Sequence, residues 1–416
     1  MNLSSFTPLG PREATLITGV GALTPLGNSF AEISTNLLAA RSAVDVVDIG
    51  EMSRVAVQFG APVREIAMPD VSLLPGDPAA WEKLDRLARI FLVPMAAALA
   101  DSGLTARENG SRIGLVMGLG AEQLKIYEND FLRGGRYVFE QHRDPAMVHT
   151  MSRILGLGGP AVTAAAACAS AGFALALGRK WLQAGWVDAC VVGGCDMLSP
   201  TGLAAFYNLR ALSRRNDDPA KASRPFDRDR DGFVMGEGGV FFVMENRGTA
   251  LKRGARVYGE LAGVGMSSDA SHMVIPSVDP TFAAKAIELA LADAGIAPDE
   301  VDYVNAHAAG TPVGDIAEAG AIRMALGSAT DGVPVSSTKS MSGHLVSGAA
   351  AFEALACLTA IHHQAVPPTL NLDNPDEKCP LNHVPHTARE HRVRVAASNS
   401  FGFGGANLCL VIRQVA

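Results

Sequence analysis

The chain predicts an α/β fold assembled from two similar halves. Two observations carry that prediction: β-branched runs alternate with alanine-rich helical stretches, and the segments of the first half recur in the same order in the second. Segment 16–25 is a strand running into a glycine turn, and 261–269 has the same shape. Segment 112–118 then corresponds to 301–307, and 161–177 to 333–355, each an extended stretch feeding a small-residue helix. Segment 187–193 corresponds to 393–400, and both halves close on an apolar strand, 240–245 and 408–412. This order predicts parallel-rich layers around a pseudo-two-fold axis, with an N-terminal half over 1–255 and a C-terminal half over 256–416. Such an axis would bring together Cys168 of one half with His307 and His344 of the other.

Bulk properties narrow the function classes. The 416 residues are 48% hydrophobic and 19% charged, enough for a large core or two fused halves. A net charge of −7 argues against a global nucleic-acid or anionic-membrane footprint. The start of the chain lacks a basic stretch followed by an apolar one, so no signal peptide is expected. The weakly polar run 161–177 is too short to span a bilayer and reads as a strand with its buried helix. Six cysteines in a chain of this length form no disulfide framework, and a reduced, cytoplasmic protein is expected.

Segment 213–236 reads as a long, charged, structured loop. Its run Asp227-Arg-Asp-Arg-Asp-Gly232 imitates the opening of a calcium loop. The glutamate needed at the twelfth position is missing, since Gly238 stands there and Glu237 comes one place early. Calcium is therefore rejected. His362 and His363 are adjacent, His383 and His386 straddle Pro385, and neither pair has metal-ligand spacing; no metal is predicted.

Cys168 is the most informative residue. It stands where an apolar strand passes into an almost all-small helix, and an arbitrary cysteine there would be an inert core residue. A cysteine at a helix N-terminus, however, is expected to be acidified by the helix dipole. Three further segments accompany it: 305–318 with His307 leaving a strand, 336–353 with Lys339, His344 and Glu353, and 399–407 with the Phe401-Gly-Phe-Gly-Gly405 turn. Glycines there permit a tight turn that aims N–H groups inward. His344 and Glu353 are nine residues apart, about half a turn out of phase on one helix, so His344 is expected to precede the helix proper, near Ser347 and Gly348.

Together and in this order, these segments resemble the β-ketoacyl-acyl-carrier-protein synthases of the KAS II type, in the thiolase superfamily. The resemblance runs nearly end to end, from 17–21 through 402–405, and includes 223–233 and 366–376. It implies a five-layered αβαβα thiolase-like fold, usually a homodimer. It also implies a ketosynthase mechanism in which Cys168 takes an acyl group from a carrier protein's phosphopantetheine thioester. Malonyl-carrier protein then loses CO2, and His307 and His344 donate N–H bonds to the thioester oxygen as enolate charge develops. By the same resemblance Lys339 supports the site electrostatically and Glu353 belongs to its network. The N–H groups of Cys168 and Phe403 form an oxyanion hole, and the Phe403 ring gates the acyl pocket; Phe401 is left undecided between core and site. No cofactor is implied, because the phosphopantetheine arrives on the acyl carrier protein.

The pattern breaks in two places. Ala309 stands where the family has a threonine that helps bind the pantetheine arm, while Thr311 keeps the second hydroxyl. Losing one such hydrogen bond costs about 0.5–1.5 kcal/mol of binding. Segment 137–145 also departs from the family and points to a specialised ketosynthase, for a secondary lipid or polyketide. Arg133, Arg136, Arg210 and Arg214 are candidates for docking an acidic carrier. Two rivals are weighed: a silent partner subunit resembling a chain-length factor, which lacks the cysteine, and a coenzyme A thiolase, which uses a second cysteine where this chain offers paired histidines.

Overall fold

The computed structural model describes residues 13–48, 56–104, 112–120, 134 and 146–415. Arg133, Arg136 and the divergent segment 137–145 lie outside the described residues.

In the N-terminal half, strand β1 (Thr15–Leu23) leads to helix α1 (Phe30–Leu38), the short pair β2 (Asp45–Val46) and β3 (Phe59–Gly60), and the long apolar helix α2 (Arg86–Ser102). There follow β4 (Ile113–Gly118), α3 (Met147–Ile154), β5 (Ala161–Ala164), α4 (Ser170–Gln183), β6 (Ala189–Asp196), α5 (Pro200–Asn208), β7 (Gly238–Asn246) and the short α6 (Arg247–Lys252). The C-terminal half has β8 (Gly259–Ser268), α7 (Thr281–Ala294), β9 (Tyr303–Asn305), α8 (Gly314–Leu326) and β10 (Pro334–Ser336). It continues with α9 (Lys339–Ser342), α10 (Ala349–His363), β11 (Ala365–Val366), β12 (Asn382–His383), β13 (Arg389–Glu390), β14 (Val395–Gly402) and β15 (Ala406–Arg413).

The main sheet runs β12-β10-β9-β14-β15-β8-β1-β7-β6-β4-β5. Its two sides repeat one order: β5-β4-β6-β7-β1 mirrors β10-β9-β14-β15-β8, strand for strand in the pairs read from the sequence. The layers are mixed rather than parallel-rich. In each half the three outer strands are parallel to one another, and the two nearer the junction pair antiparallel to their neighbours. The reason is that β7 and β15 return beside the preceding strand, through a long excursion in the first half and the 403–405 turn in the second. The halves meet edge to edge only through Leu16–Glu260 and Ile17–Gly259.

Period-two alternation sends neighbouring side chains to opposite faces of each strand and creates three apolar layers. Val192, Phe242, Leu408 and Leu410 face a central layer made by Ala171 and Leu175 of α4 with Ala351 and Leu355 of α10. On the outer face of the first half, Val191, Phe241 and Val243 pack on Phe91 and Met95 of α2. On the outer face of the second, Ala397 and Val411 pack on Ile287 of α7 and Ile322 of α8. The result is the thiolase-like five-layered αβαβα arrangement.

The duplication extends to backbone detail. A Cβ on Gly21 of β1 would run into the carbonyl oxygen of Pro94 in α2, and one on Gly265 of β8 into that of Ala286 in α7. Bare glycines are needed because each helix backbone presses directly on its strand. Both helices end on a left-handed glycine, Gly103 with φ 69° and Gly295 with φ 65°.

Candidate active site

Cys168 sits in a single 3-10 turn, Ala167–Ala169, between β5 and α4, and is 6% exposed. The preceding Ala167 has φ 49°, a left-handed backbone uncommon for a side-chain-bearing residue. Ser170 brackets that strained residue: its hydroxyl accepts the N–H of Ala166 at 2.9 Å and donates to the carbonyl of Ala167 at 2.6 Å. Gly402 lies so close that a Cβ there would meet the carbonyl oxygen of Ala166. This contact seats the glycine-rich 402–405 turn against the cysteine turn.

The expected acidification of Cys168 is not what the environment produces. Burial pushes its thiol up to about 12; the nearby Lys339 ammonium and the N–H of Phe403 favour the thiolate, while Asp196 and Glu353 oppose it. Desolvation of a fully enclosed thiol outweighs what one helix N-terminus supplies. Cys168 rests as a thiol.

His307 leaves β9 in a loop whose backbone is held by two buried carboxylates from the first turns of α8. Glu318 accepts the N–H groups of His307 and Ala308, at 2.8 and 2.6 Å, and Asp315 accepts those of Gly310, Thr311 and Phe226. Neither carboxylate was singled out from the sequence. Their i,i+3 spacing just after the histidine loop was the available signal. Burial pushes Glu318 up to about 7, against hydrogen bonds from Asn399 and the two backbone amides.

Lys339 opens α9, and its Nζ reaches the Nδ1 of His307 at 3.4 Å, the His307 carbonyl oxygen, and the Glu353 carboxylate in a fully buried ion pair. Glu353 also accepts from Ser400 Oγ at 3.2 Å, and burial raises its carboxyl despite both partners. An ammonium facing Nδ1 makes that nitrogen the acceptor, so the proton of a neutral His307 resides on Nε2.

His344 lies ahead of α10, in the stretch before the 3-10 turn Val346–Gly348, as the phase argument requires. Its backbone is clamped by the charged excursion of the first half: His344 N–H donates to the Val234 carbonyl at 2.7 Å and the Gly236 N–H to the His344 carbonyl at 2.9 Å. The Phe233 ring packs edge-on against the His344 ring at 5.2 Å. Loop 213–236 thus has a use that its composition did not disclose. The His307 and His344 rings stand 5.4 Å apart, nearly perpendicular. Burial first and Lys339 second hold both imidazoles well below the usual histidine range, and His344 adds to the effect on His307. Both rings are neutral near pH 7.

One cleft of about 740 Å³, open to solvent, is lined by Cys168, His307, His344, Phe401, Phe403 and Thr311 together with Ala309 and Glu318. Phe401 therefore belongs to the site wall, 5.9 Å from the His307 ring. Phe403 packs edge-on to Phe206, which in turn packs edge-on against Phe233. Lys339 and Glu353 lie behind the wall. Arg210 and Arg214 are exposed, the latter with its guanidinium 5.1 Å over the Tyr207 ring. In the false calcium run, Asp227 and Arg230 are neutralised from outside it, Asp227 by Arg224 and Arg230 by Asp315 and Asp376. Among the described residues no three His, Cys, Asp or Glu side chains gather as metal ligands.

Comparison with known proteins points the same way. The Beta-ketoacyl synthase N-terminal domain description matches residues 12–250 and its C-terminal domain description residues 258–373. The 3-oxoacyl-[acyl-carrier-protein] synthase 2 of Synechocystis sp. is 38% identical over 97% of this chain and 98% of its own length. A putative polyketide beta-ketoacyl synthase 1 of Streptomyces halstedii is 35% identical over 95% and 97%. Among solved structures, a beta-ketoacyl synthase from Burkholderia phymatum superposes with a TM-score of 0.88 at 31% identity, covering 97% of this chain and 100% of that one. A type II polyketide ketosynthase in complex with its acyl-carrier protein gives 0.86 at 27% identity, over 98% and 100%. With a thiol from one half and two neutral imidazoles from the other lining one cleft, in a fold shared nearly end to end with these proteins, the chain belongs to the β-ketoacyl synthase family.

Proposed function

We propose that this chain is an acyltransferase that condenses an acyl thioester with malonyl-acyl-carrier protein to give β-ketoacyl-acyl-carrier protein, in fatty-acid or specialised lipid or polyketide synthesis. The observation that carries the reading is the shared cleft of Cys168, His307 and His344. In the first step the Cys168 sulfur bonds to the acyl carbonyl carbon, the pantetheine C–S bond breaks, and the thiol proton ends on the departing pantetheine sulfur. The Phe403 N–H and the Lys339 ammonium, which both favour sulfur-centred negative charge, offset part of the cost of ionising a buried thiol. The N–H groups of Cys168 and Phe403 are assigned to the oxyanion, and the Phe403 ring to the gate. In the second step malonyl carboxylate leaves as CO2, the enolate carbon attacks the acyl-cysteine, and the expelled thiolate takes a proton from solvent. Neutral His307 and His344 can each donate one N–H to the developing enolate oxygen without a buried net charge. Lys339, braced by Glu353, fixes the His307 tautomer. Thr311 is assigned to the pantetheine arm beside the shortened Ala309.

The partner is an acyl carrier protein, and no resident cofactor is required because the reactive thioester arrives on it. The ketosynthase solved with an acyl-carrier protein supports that partner. We assign a homodimer on the ground that β5, at one end of the main sheet, has a strand neighbour on one side only among the described residues. All six cysteines are unpaired, which supports a reduced, cytoplasmic setting; no described helix is long and apolar enough to cross a membrane. The division at 250–257 into two halves is favoured by the repeated strand order. A catalytically silent role is opposed by the intact thiol, and a coenzyme A thiolase role by the burial of Cys409 within β15, away from the cleft.

The test is direct. Incubation with acyl-carrier-protein thioesters should leave one acyl group on Cys168 by peptide mass spectrometry, and malonyl-carrier protein should then release CO2. Cys168→Ala should abolish acyl transfer. An unmodified Cys168 with no CO2 release would overturn the reading.

A further inference from the structure

The turns that carry the thiol and the second imidazole each hold one side-chain-bearing residue in the left-handed region: Ala167 at φ 49° and Val346 at φ 45°. Such backbone persists only where its surroundings over-determine it. Ser170 supplies that restraint for Ala167. For Val346 the restraint comes from the next residue. Ser347 donates its N–H and its hydroxyl to one oxygen of the Asp196 carboxylate, at 3.2 and 2.8 Å, and Ser347 Oγ accepts the N–H of Gly120 at 2.8 Å. Asp196 is the last residue of β6 and is 4% exposed; its other oxygen accepts the Met197 N–H at 2.9 Å. Gly120 lies just past β4, and a Cβ on it would stand 3.6 Å from the Cα of Ala167. A continuous chain of contacts therefore runs from the end of β6 through the His344 turn and the end of β4 to the cysteine turn. None of its members lines the cleft.

We infer that Asp196 is a positioning residue which, through Ser347 and Gly120, fixes the turn bearing His344 against the turn bearing Cys168. The inference rests on the condensing reading above. A second consequence follows from its charge. Asp196 has no Lys, Arg or His partner among the described residues, and its carboxylate opposes ionisation of Cys168 while Lys339 favours it. The charged and titratable groups facing the thiol are Lys339, Asp196 and Glu353, with His307 and His344 across the cleft. Asp196 is thus placed to aim the imidazole, and its charge adds to the burial that keeps the resting thiol protonated.

Three variants separate these effects: Ser347→Ala, Asp196→Ala and Asp196→Asn. Each is assayed as full-length enzyme for Cys168 acylation, for malonyl-carrier-protein decarboxylation, and for alkylation by iodoacetamide between pH 7 and 10. Ser347→Ala and Asp196→Ala should lower decarboxylation relative to acylation by about tenfold or more, at unchanged KM, because the imidazole is misplaced. Asp196→Asn keeps an acceptor for Ser347 and should restore that ratio. It should nevertheless raise the alkylation rate at each pH by up to about tenfold, as removal of a nearby negative charge lowers the thiol's proton affinity. Should Asp196→Ala fail to fold, Ser347→Ala carries the positioning test alone. Folded variants with the wild-type ratio and the wild-type alkylation profile would overturn the inference. Failure of the wild-type enzyme to acylate or decarboxylate would instead overturn the condensing reading.

Discussion

The donor role proposed for His344 and His307 depends on neutrality, and their surroundings enforce it by burial and by Lys339. Under the proposed mechanism, replacing His344 by Ala removes an enolate donor but leaves the thiol in place. Decarboxylation should fall about 100-fold or more, with acylation of Cys168 much less affected, measured by CO2 release against single-turnover mass labelling. The opposite ranking would reverse the assignment of roles. The same residues give a pH signature. In the unfolded chain each histidine takes a proton near 6.5, whereas the folded chain refuses it; stability due to the rings is present above that value and is lost on acidification, by up to about 1.4 kcal/mol per pH unit for each ring. Glu318, raised to about 7, acts with the opposite sign: its share is present below its ordinary 4.5 and is lost as the pH rises through 7. Glu353 opposes the rings in the same sense. The rings and these carboxyls therefore pull urea midpoints in opposite directions between pH 5 and 7, and the variants are read relative to wild type. Glu318→Gln should lose stability on acidification across that range, and His344→Asn should gain it. At this scale Cys168 stood out by its place at a strand-to-helix junction, whereas His307, His344 and Lys339 were ambiguous singly and were marked by the family resemblance of their segments taken together. It did not disclose the state of the thiol, since burial is a property of the packed layers and not of the local string.

Strands and helices were legible where their pattern is strong. Segments 16–25 and 261–269 read as equivalent strands ending in glycine turns; the structure instead runs each strand through its glycines, because a helix backbone lies directly on them. Gly21→Ala should destabilise by about 2–3 kcal/mol through overpacking against α2, read as a fall in urea midpoint at unchanged m-value. A loss below about 0.5 kcal/mol would show that α2 can retreat. Less legible was the 213–236 excursion. The sequence marks a charged, structured loop but does not disclose that Arg224 and Asp227 form a buried pair, that Arg230 pairs with Asp315 and Asp376, or that Val234 and Gly236 hold His344. Composition cannot report partners that lie more than 80 residues away in the chain, as Asp315 does from Arg230. Strand direction was misread for a related reason. Alternation of strands and helices suggests parallel pairing, but it does not say beside which neighbour a returning strand is laid.

Over the whole molecule the net charge is −7, so attraction of an acidic carrier must be local. Arg210 is exposed in a left-handed turn after α5, beside the half-exposed Leu209, and Arg214 is exposed nearby. Arg210→Glu should weaken carrier affinity about tenfold at low salt and progressively less as ionic strength rises, with turnover at saturating carrier preserved. An affinity unchanged at low salt would remove Arg210 from the docking surface.

The edge-to-edge junction of the halves, two residue pairs wide, leaves their registration to the helices packed between them. The thiol lies in one gene segment and the two imidazoles in the other, so an ancestral duplication could specialise each copy without either retaining a complete apparatus. Evolutionary drift in the interposed helices would then be felt first as lost synchrony between loading and elongation, while each copy remained folded.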